Sequence, residues 1–435
     1  FNEALLRDVI GPSYHELLQH VLSMQLFVES QTERHGWYRV HPVMAQCLAS
    51  QLPLTDRQNL HRLAYRWLSQ RQEPVAALTH ASLCGDDEEA ARWVELEAES
   101  ILANLNMNGL INWFSQLDDQ ILFASPRLMQ IAAWTWLLAH QADRADQLIQ
   151  RLTQEGSLAD FEISALQGYL AVLLGQLTRA DRLCRFALDN LPASRFSLRI
   201  LMSSTLSHLS LSAKDPDGAR VWNRLAQDLS RKFRAPAMEA LAMFDHARIE
   251  LNRGHISRSI SIVDQGLELL GERPHEIDRL PRGRLLLYRG FLMWLSGKEL
   301  DQLQTVIQQG IALSTQAHDV SVCYGYAVMA MQFTAQGRHT AALDALDEAE
   351  RRMQNWQVEP STYQWLHIVR ANVWISQGKL KRAKDCIDPL LIGADSERIP
   401  RPELFPMLPG FTIATLSRLY LVANQLEQCL EQTEH

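Results

Sequence analysis

A short turn motif recurs through most of this sequence at a nearly constant spacing, and it constrains the fold more than any other feature. Each copy has a glycine or another residue suited to a tight turn, four intervening residues, and then an alanine or another small residue. Clear copies span residues 175–180, 254–259, 337–342 and 378–383. With degenerate copies included, the motif begins at positions 140, 175, 214, 254, 297, 337, 378 and 424, so that successive copies lie about 40 residues apart.

Each position of this turn motif has a physical reason. A glycine ends a helix where the chain needs a left-handed backbone conformation, and the small residue that follows lets the next helix pack closely on the first. After Gly175, apolar residues recur at helical spacing on one face, as Leu177, Ala180, Cys184, Ala187, Leu188 and Leu191. One hairpin cannot bury such a stripe alone, so neighbouring hairpins must stack. The spacing therefore predicts about eight helical hairpins in a TPR-like, right-handed superhelix over residues 119–435.

Strand signals are confined to the beginning of the chain. Segments 26–30 and 36–40 alternate polar with aromatic or branched residues, and the polar stretch 31–35 between them suits a turn. Helical segments flank this β-hairpin, and Pro42 is well placed at the first turn of the following helix. Helix, helix, hairpin and helix is the outline of a partial winged-helix domain over residues 1–72. We expect connecting helices over residues 73–118, so that the whole chain is of the all-α class.

Composition and charge argue against several functions. The formal net charge is −8 and arginines alternate with acidic residues, so we expect no direct contact with nucleic acid. The apolar runs are too short to span a membrane. The six cysteines are scattered without a C-x-x-C pair, as in a reduced cytoplasmic protein. We expect no metal site, because His80 and Cys84 share a helix face but a zinc site needs three or four ligands.

Signatures of catalysis are missing from the sequence. The patterns G-x-S-x-G and H-E-x-x-H do not occur. Carboxylate pairs lie on charged helix faces, where no acid–base pair can be singled out. We therefore expect a binding protein with no catalytic residues. The chain begins with Phe1 rather than methionine, and we expect it to be part of a longer protein.

Two stretches of the sequence carry a family resemblance. The first runs from Gly36 to Leu48 and continues through segments 60–68, 76–81 and 85–91; the second begins with Ser125-Pro-Arg-Leu and includes Trp134 and Trp136. In this order they resemble the MalT-like large LuxR-family transcriptional regulators of the STAND class. The resemblance implies a parent protein with an NTPase domain, a winged helix, a superhelical sensor and a C-terminal helix-turn-helix.

The same resemblance implies that this chain is the central part of such a regulator. The phosphate-binding pattern G-x-x-x-x-G-K-[ST] does not occur, and no LuxR-type helix-turn-helix follows position 424. We therefore expect ATP or ADP to bind elsewhere in the full-length protein and no cofactor to bind this fragment. Self-association would likewise belong to the full-length regulator.

His41 is the residue to which the resemblance assigns a role. It stands in the segment Val40-His41-Pro42-Val43, and the family resemblance implies that its imidazole contacts the phosphates of the bound nucleotide in the full-length protein. The residues themselves leave another reading open, in which His41 caps the junction between hairpin and helix.

The first helices of the repeats carry aromatic and polar residues that suit a binding groove. In helical solenoids these helices line the concave surface, and aromatic faces combined with charged groups can hold a small polar effector. The alternative is that the aromatic residues pack between repeats as core. Our effector-binding candidates are Trp134, Tyr169, His208, Asp245, Arg248, Arg289, Tyr326, Tyr363 and Arg370.

These expectations lead to one functional hypothesis and one alternative. The chain is expected to be the effector-sensing and autoregulatory region of an ATP-dependent transcriptional activator, in which a small-molecule inducer binds the superhelix and controls oligomerisation and promoter activation. The alternative is a TPR-like interaction scaffold that binds a peptide or an inhibitory protein.

Overall fold

The computed structural model describes residues 1–23, 27–30, 36–71, 74–103, 107–271, 278–354, 360–391 and 408–433 of the chain. Within these ranges the protein is helical apart from one two-stranded sheet, which confirms the predicted all-α class. Among the described helices, none combines the length and the hydropathy that crossing a bilayer requires.

The chain begins with the predicted order of helix, helix, hairpin and helix. Strand β1 (Val28–Ser30) is antiparallel to strand β2 (Tyr38–Val40), with Val28 opposite Val40. The first residues of the chain also pair with β2, because the Tyr38 N–H donates to the carbonyl of Phe1 at 2.7 Å. The predicted turn at 31–35 lies outside the described residues. The elements are α1 (Glu3–Ile10), α2 (Tyr14–Ser23), β1 (Val28–Ser30), β2 (Tyr38–Val40), α3 (Pro42–Gln51) and α4 (Leu54–Ser69).

Five short helices lead from this winged-helix region into the superhelix. Their apolar residues belong to one continuous core that reaches from Leu5 in α1 to Leu209 in the repeats. The winged-helix region is therefore packed onto the repeats through the connecting helices. These helices are α5 (Pro74–Leu83), α6 (Asp87–Leu96), α7 (Ala98–Ala103), α8 (Met107–Phe114) and α9 (Asp119–Ala124).

In the described part of the chain, eight helical hairpins follow and form the TPR-like superhelix. The first helices of the hairpins are α10 (Pro126–Leu138), α12 (Asp160–Leu173), α14 (Phe196–Ser212), α16 (Pro236–Asn252), α18 (Arg279–Ser296), α20 (Val322–Ala335), α22 (Pro360–Ser376) and α24 (Leu408–Val422). The second helices are α11 (Ala142–Glu155), α13 (Leu177–Asn190), α15 (Pro216–Lys232), α17 (Ile256–Leu269), α19 (Leu303–Gln316), α21 (His339–Met353), α23 (Leu380–Leu391) and α25 (Leu426–Thr433).

The repeat turns have the left-handed backbone that their sequence predicts. All eight positions at which the motif begins have a positive φ, between 58° and 83°, including the non-glycine residues His140, Lys214 and Asn424. The small residue that follows is fully buried at Ala145, Ala180 and most later repeats. The period of about 40 residues is therefore the distance between successive left-handed turns.

Curvature places the first helices on the inner surface of the superhelix. From α12 to α24, neighbouring first helices pack against each other, whereas the second helices pack mainly against their own partner and the next first helix. In a curved stack of repeats, the helices that contact their counterparts in the next repeat lie on the inner, more tightly curved side. The side chains that first helices expose therefore face a common groove.

A matched pair of glycine substitutions tests the turn geometry. A β-carbon added at Gly175 or at Gly410 would meet nothing within 4 Å, but only Gly175 has a positive φ, of 71°. We expect Gly175→Ala to lower the free energy of unfolding by about 1–2 kcal/mol, because left-handed backbone is unfavourable for alanine. Gly410→Ala, inside α24, should raise it by roughly 0.5–1 kcal/mol. Thermal unfolding followed by circular dichroism measures both changes in stability. Changes of the same sign and size in the two variants would contradict the requirement for a left-handed residue at Gly175.

Candidate functional site

A cavity lies on the inner surface between α10, α12, α14, α16 and α18. We call it the N-terminal cavity; its volume is about 120 Å³. Aliphatic side chains and one ring form most of its wall: Leu138, Val172, Leu173, Ile200, Leu201, Met238, Leu241, Leu280 and Phe244. Polar side chains project among them: His140, Tyr169, Ser204, Thr205, His208, Asp245 and Arg284. An apolar wall with a few convergent polar groups is the usual form of a small-molecule site.

Three of the predicted effector-binding residues meet in this cavity. Tyr169, His208 and Asp245 come from the consecutive first helices α12, α14 and α16. Tyr169 and His208 each stand six residues before the left-handed residue of their own repeat turn. Because each repeat turn fixes the register of the helix before it, Tyr169 and His208 lie side by side although they are far apart in the sequence.

The charged groups of the cavity are paired with opposite charges. Asp245 accepts a hydrogen bond from Arg248 at 2.9 Å, and the Arg248 side chain is only 2% exposed. Arg284 donates to both carboxylate oxygens of Asp319, at 2.8 and 3.1 Å. Each pair offers polar atoms to a ligand while its net charge is close to zero. The cavity therefore suits a neutral polar molecule better than a strongly charged one.

The other candidates lie away from this cavity, and most are occupied by structural contacts. Trp134 is buried behind Tyr169, with its ring edge-to-face at 5.9 Å. Arg289 forms ion pairs with Asp264 and Glu299, and Arg370 forms ion pairs with Asp347 and Glu350, at 2.8–3.2 Å. Tyr326 lies beneath the guanidinium of Arg352, and Tyr363 is 41% exposed. Ion pairs with neighbouring acidic residues therefore account for both arginines.

The connecting helix α7 packs directly beside the N-terminal cavity. Ala103, at its end, belongs to the same buried cluster as Ile200 and Met238, and these two residues also line the cavity. At the other end of α7, the carboxylate of Glu99 accepts from the Ser197 backbone N–H at 3.2 Å and pairs with Arg195 at 3.5 Å. Sequence reasoning missed this contact, because helix α7 shows no repeat spacing.

His41 lies at the exposed junction between β2 and α3. It is the N-cap residue of α3, yet its side chain makes no capping hydrogen bond. Its backbone N–H donates to the carbonyl of Phe27 at 2.7 Å, and the two rings are 6.5 Å apart. The backbone of His41 is therefore fixed by this hydrogen bond, and its imidazole does not cap α3, which was the alternative role for this residue.

His80 lies against another histidine at the interface of α4 and α5. Its Nδ1 is 2.9 Å from Nδ1 of His61, so one ring nitrogen must accept the hydrogen bond. Burial, together with His61, lowers the pKa of His80 to about 4, and burial together with Arg57 lowers the pKa of His61. Among the described residues, no group of three or more histidine, cysteine or acidic side chains is arranged to hold a metal ion.

This histidine pair predicts a pH-dependent stability. The unfolded chain binds a proton at His80 near pH 6.5, whereas the folded chain does so only near pH 4. Stability should therefore be full above pH 6.5 and fall as the pH drops towards 4. In thermal unfolding between pH 7 and pH 4.5, His80→Gln should lose less stability than the unmodified chain. The exposed His15→Gln should behave like the unmodified chain; equal pH profiles for all three would contradict the role of the pair.

Comparison with known proteins is consistent with this architecture. Residues 1–60 match the model of the MalT winged helix domain, and residues 162–400 match the model of the MalT-like TPR region. A TPR-like repeat region joined to a winged helix is thus the class that the fold defines. The chain belongs to the MalT-like TPR family.

Curated relatives are described as transcriptional regulators. The "HTH-type transcriptional regulator MalT" of Vibrio parahaemolyticus is 21% identical over 83% of this chain, and that of Vibrio campbellii is 22% identical over the same share. The chain spans 41% of the length of each relative. Among solved structures, a Rap protein complexed with Competence and Sporulation Factor has the same fold, with a TM-score of 0.56, 10% identity, and coverage of 80% of this chain and 96% of that chain.

Proposed function

We propose that this chain is the effector-sensing and autoregulatory region of a MalT-like transcriptional activator, with a small-molecule inducer binding in the N-terminal cavity. The observation that carries the proposal is the meeting of Tyr169, His208 and Asp245 in one apolar cavity on the inner surface. The family supports the regulatory role, because the curated relatives are transcriptional regulators. An enzyme has no comparable support, and we assign the regulator to the cytoplasm.

The position of α7 suggests how an effector signals. The cavity of about 120 Å³ has room for a group of about benzene size, so an effector that inserts a larger group widens it. Widening displaces Ile200 and Met238, which belong to the same buried cluster as Ala103 of α7. An effector that binds better when α7 is displaced shifts the population towards that state. Because α7 follows the helices that join the winged-helix region, the shift reaches the nucleotide-dependent part of the regulator.

His41 is the residue that we propose for contact with nucleotide in the full-length protein. Its imidazole is exposed and makes no capping bond, which fits a side chain that donates a hydrogen bond to a phosphate oxygen. ATP or ADP would be held by the remainder of the parent protein, and oligomerisation and promoter activation would depend on it. Loss of this contact would release the winged helix from the nucleotide and favour an open form of the regulator that oligomerises.

The alternative function is a scaffold that binds a peptide or an inhibitory protein in the groove. A structure of the same fold, the Rap protein, was solved in complex with Competence and Sporulation Factor. We favour the small-molecule sensor, because three of the predicted residues, Tyr169, His208 and Asp245, converge in one enclosed apolar cavity.

Calorimetry with a panel of metabolites tests the proposed function. We expect at least one neutral polar metabolite to bind the chain, and we expect Ser204→Phe to abolish that binding by filling the cavity from its half-buried wall. Ser261→Phe introduces the same ring on the exposed face of α17 and should leave binding unchanged. A panel without any binder, or a binder that is insensitive to Ser204→Phe, would count against the N-terminal cavity as the effector site.

A charge substitution in α7 tests the coupling mechanism. Glu99→Gln should weaken the ion pairs with Arg127 and Arg195 by about 1.4 kcal/mol, equivalent to roughly tenfold more displaced α7. Amide hydrogen exchange in α7 should accelerate by the same factor. The matched control Glu155→Gln removes an exposed pair with Arg151 in α11 and should leave α7 unchanged. Identical exchange in both variants would argue against docking through Glu99.

A further inference from the structure

A second and larger cavity lies farther along the same groove. We call it the C-terminal cavity; it is formed by α18, α20, α22 and α24 and has a volume of about 460 Å³. This volume lies within the range of roughly 300–1,000 Å³ that is typical of small-molecule sites. None of the sequence-predicted candidates lines it. It is separate from the N-terminal cavity, because the two share no lining residue.

Three aromatic rings form the apolar part of this cavity. The ring of Phe411 is 4.9 Å from that of Trp365, edge-to-face, and 6.2 Å from that of Trp294. Trp365 is fully buried, and the neighbouring side chains of Ile368 and Val369 are 2% and 3% exposed. Such a surface binds a flat or aliphatic body through burial and ring contacts.

The polar side of the cavity has hydroxyl and amide groups whose hydrogens are already used. Asn372 donates to Thr415 Oγ1 at 2.6 Å and to the Ile368 carbonyl at 3.1 Å. The Thr415 hydroxyl donates to the Phe411 carbonyl at 2.7 Å. These groups therefore have no hydrogen left to offer to an acidic ligand group.

Arg418 supplies the charge of this cavity. It is the only charged side chain among the described residues that line the cavity. Its one described contact there is a long hydrogen bond of 3.4 Å to the Asn372 side-chain oxygen. A guanidinium has five N–H donors, so most of them remain available to a ligand. Among the described lining residues there is no carboxylate to compete for them, which favours an anion as the partner.

The repeat register shows that Arg418 belongs to the groove. Met331, Asn372 and Arg418 each stand six residues before the left-handed residue of their repeat turn. Tyr169 and His208 occupy the same position in the N-terminal cavity. In these five repeats the position faces one of the two cavities, and the repeats differ in the chemistry that they place there.

We propose that the C-terminal cavity binds an apolar monocarboxylate, such as a small aromatic carboxylic acid. The rings of Trp294 and Phe411, backed by the buried Trp365, hold its apolar body, and Arg418 holds its carboxylate at the rim of the groove. This site is independent of the proposed effector site, since it shares neither residues nor ligand chemistry with the N-terminal cavity.

Calorimetry of the full 435-residue chain with 2-naphthoate and with 2-naphthalenemethanol tests the proposal. The two probes share one ring system and differ in charge. We expect naphthoate to bind at least about tenfold more tightly, the size of one charge-assisted contact of about 1.4 kcal/mol. Arg418→Gln should remove this difference while the alcohol binds as before. The control Arg382→Gln removes an exposed arginine of α23 and should preserve the difference.

A second set of variants locates the binding. Ala414→Trp fills the cavity from its exposed rim and should abolish binding of both probes, with the helical content checked by circular dichroism. Ser204→Phe, in the other cavity, should change neither affinity. Equal affinity for acid and alcohol, no binding of naphthoate at millimolar concentration, or loss of binding with Ser204→Phe but not with Ala414→Trp would each overturn the proposal. None of these outcomes depends on whether an effector binds the N-terminal cavity.

Discussion

The superhelix depends on one left-handed residue at each hairpin turn. That residue reverses the chain between two helices and fixes where both begin and end. It also sets the register of the first helix, so that in five repeats the residue six positions earlier lines one of the two cavities. Three of the eight turns use His140, Lys214 or Asn424 rather than glycine, so the packing of the hairpins imposes the conformation even where the residue disfavours it.

Stacking, rather than any single hairpin, provides the stability of this chain. Buried residues form two large cores, one from the winged-helix region to Leu209 in α14 and the other from Ala240 in α16 to Val373 in α22. The N-terminal cavity lies where they meet, since Leu173 belongs to the first core and Phe244 to the second. A ligand bound there, as we propose, would act on the junction between the two cores. Helix α7 contacts the same junction through Ala103, which links the cavity to the winged-helix region.

Part of the candidate site was accessible from the sequence and part was not. Residue chemistry on the first helices selected Tyr169, His208 and Asp245, and the repeat register explains why Tyr169 and His208 converge. The same chemistry also selected Arg289 and Arg370, whose charges pair with acidic residues of the preceding second helix. Sequence cannot separate these two kinds of residue, because both stand on first helices and only side-chain direction and neighbours distinguish them. Arg418 was not among the residues predicted from the sequence, because an exposed arginine near the end of a chain resembles ordinary solvated surface.

The sequence by itself determined the repeating hairpins, their turn positions, the order of winged helix and repeats, and the family. Each follows from local rules: the left-handed turn, the helical period of apolar residues, and the strand alternation of one hairpin. Only the tertiary structure decided which first-helix residues share a cavity, which arginines are already paired, and that α7 rests against the N-terminal cavity. These depend on curvature and on contacts between residues about 100 positions apart, such as Glu99 and Ser197, and no local pattern records them.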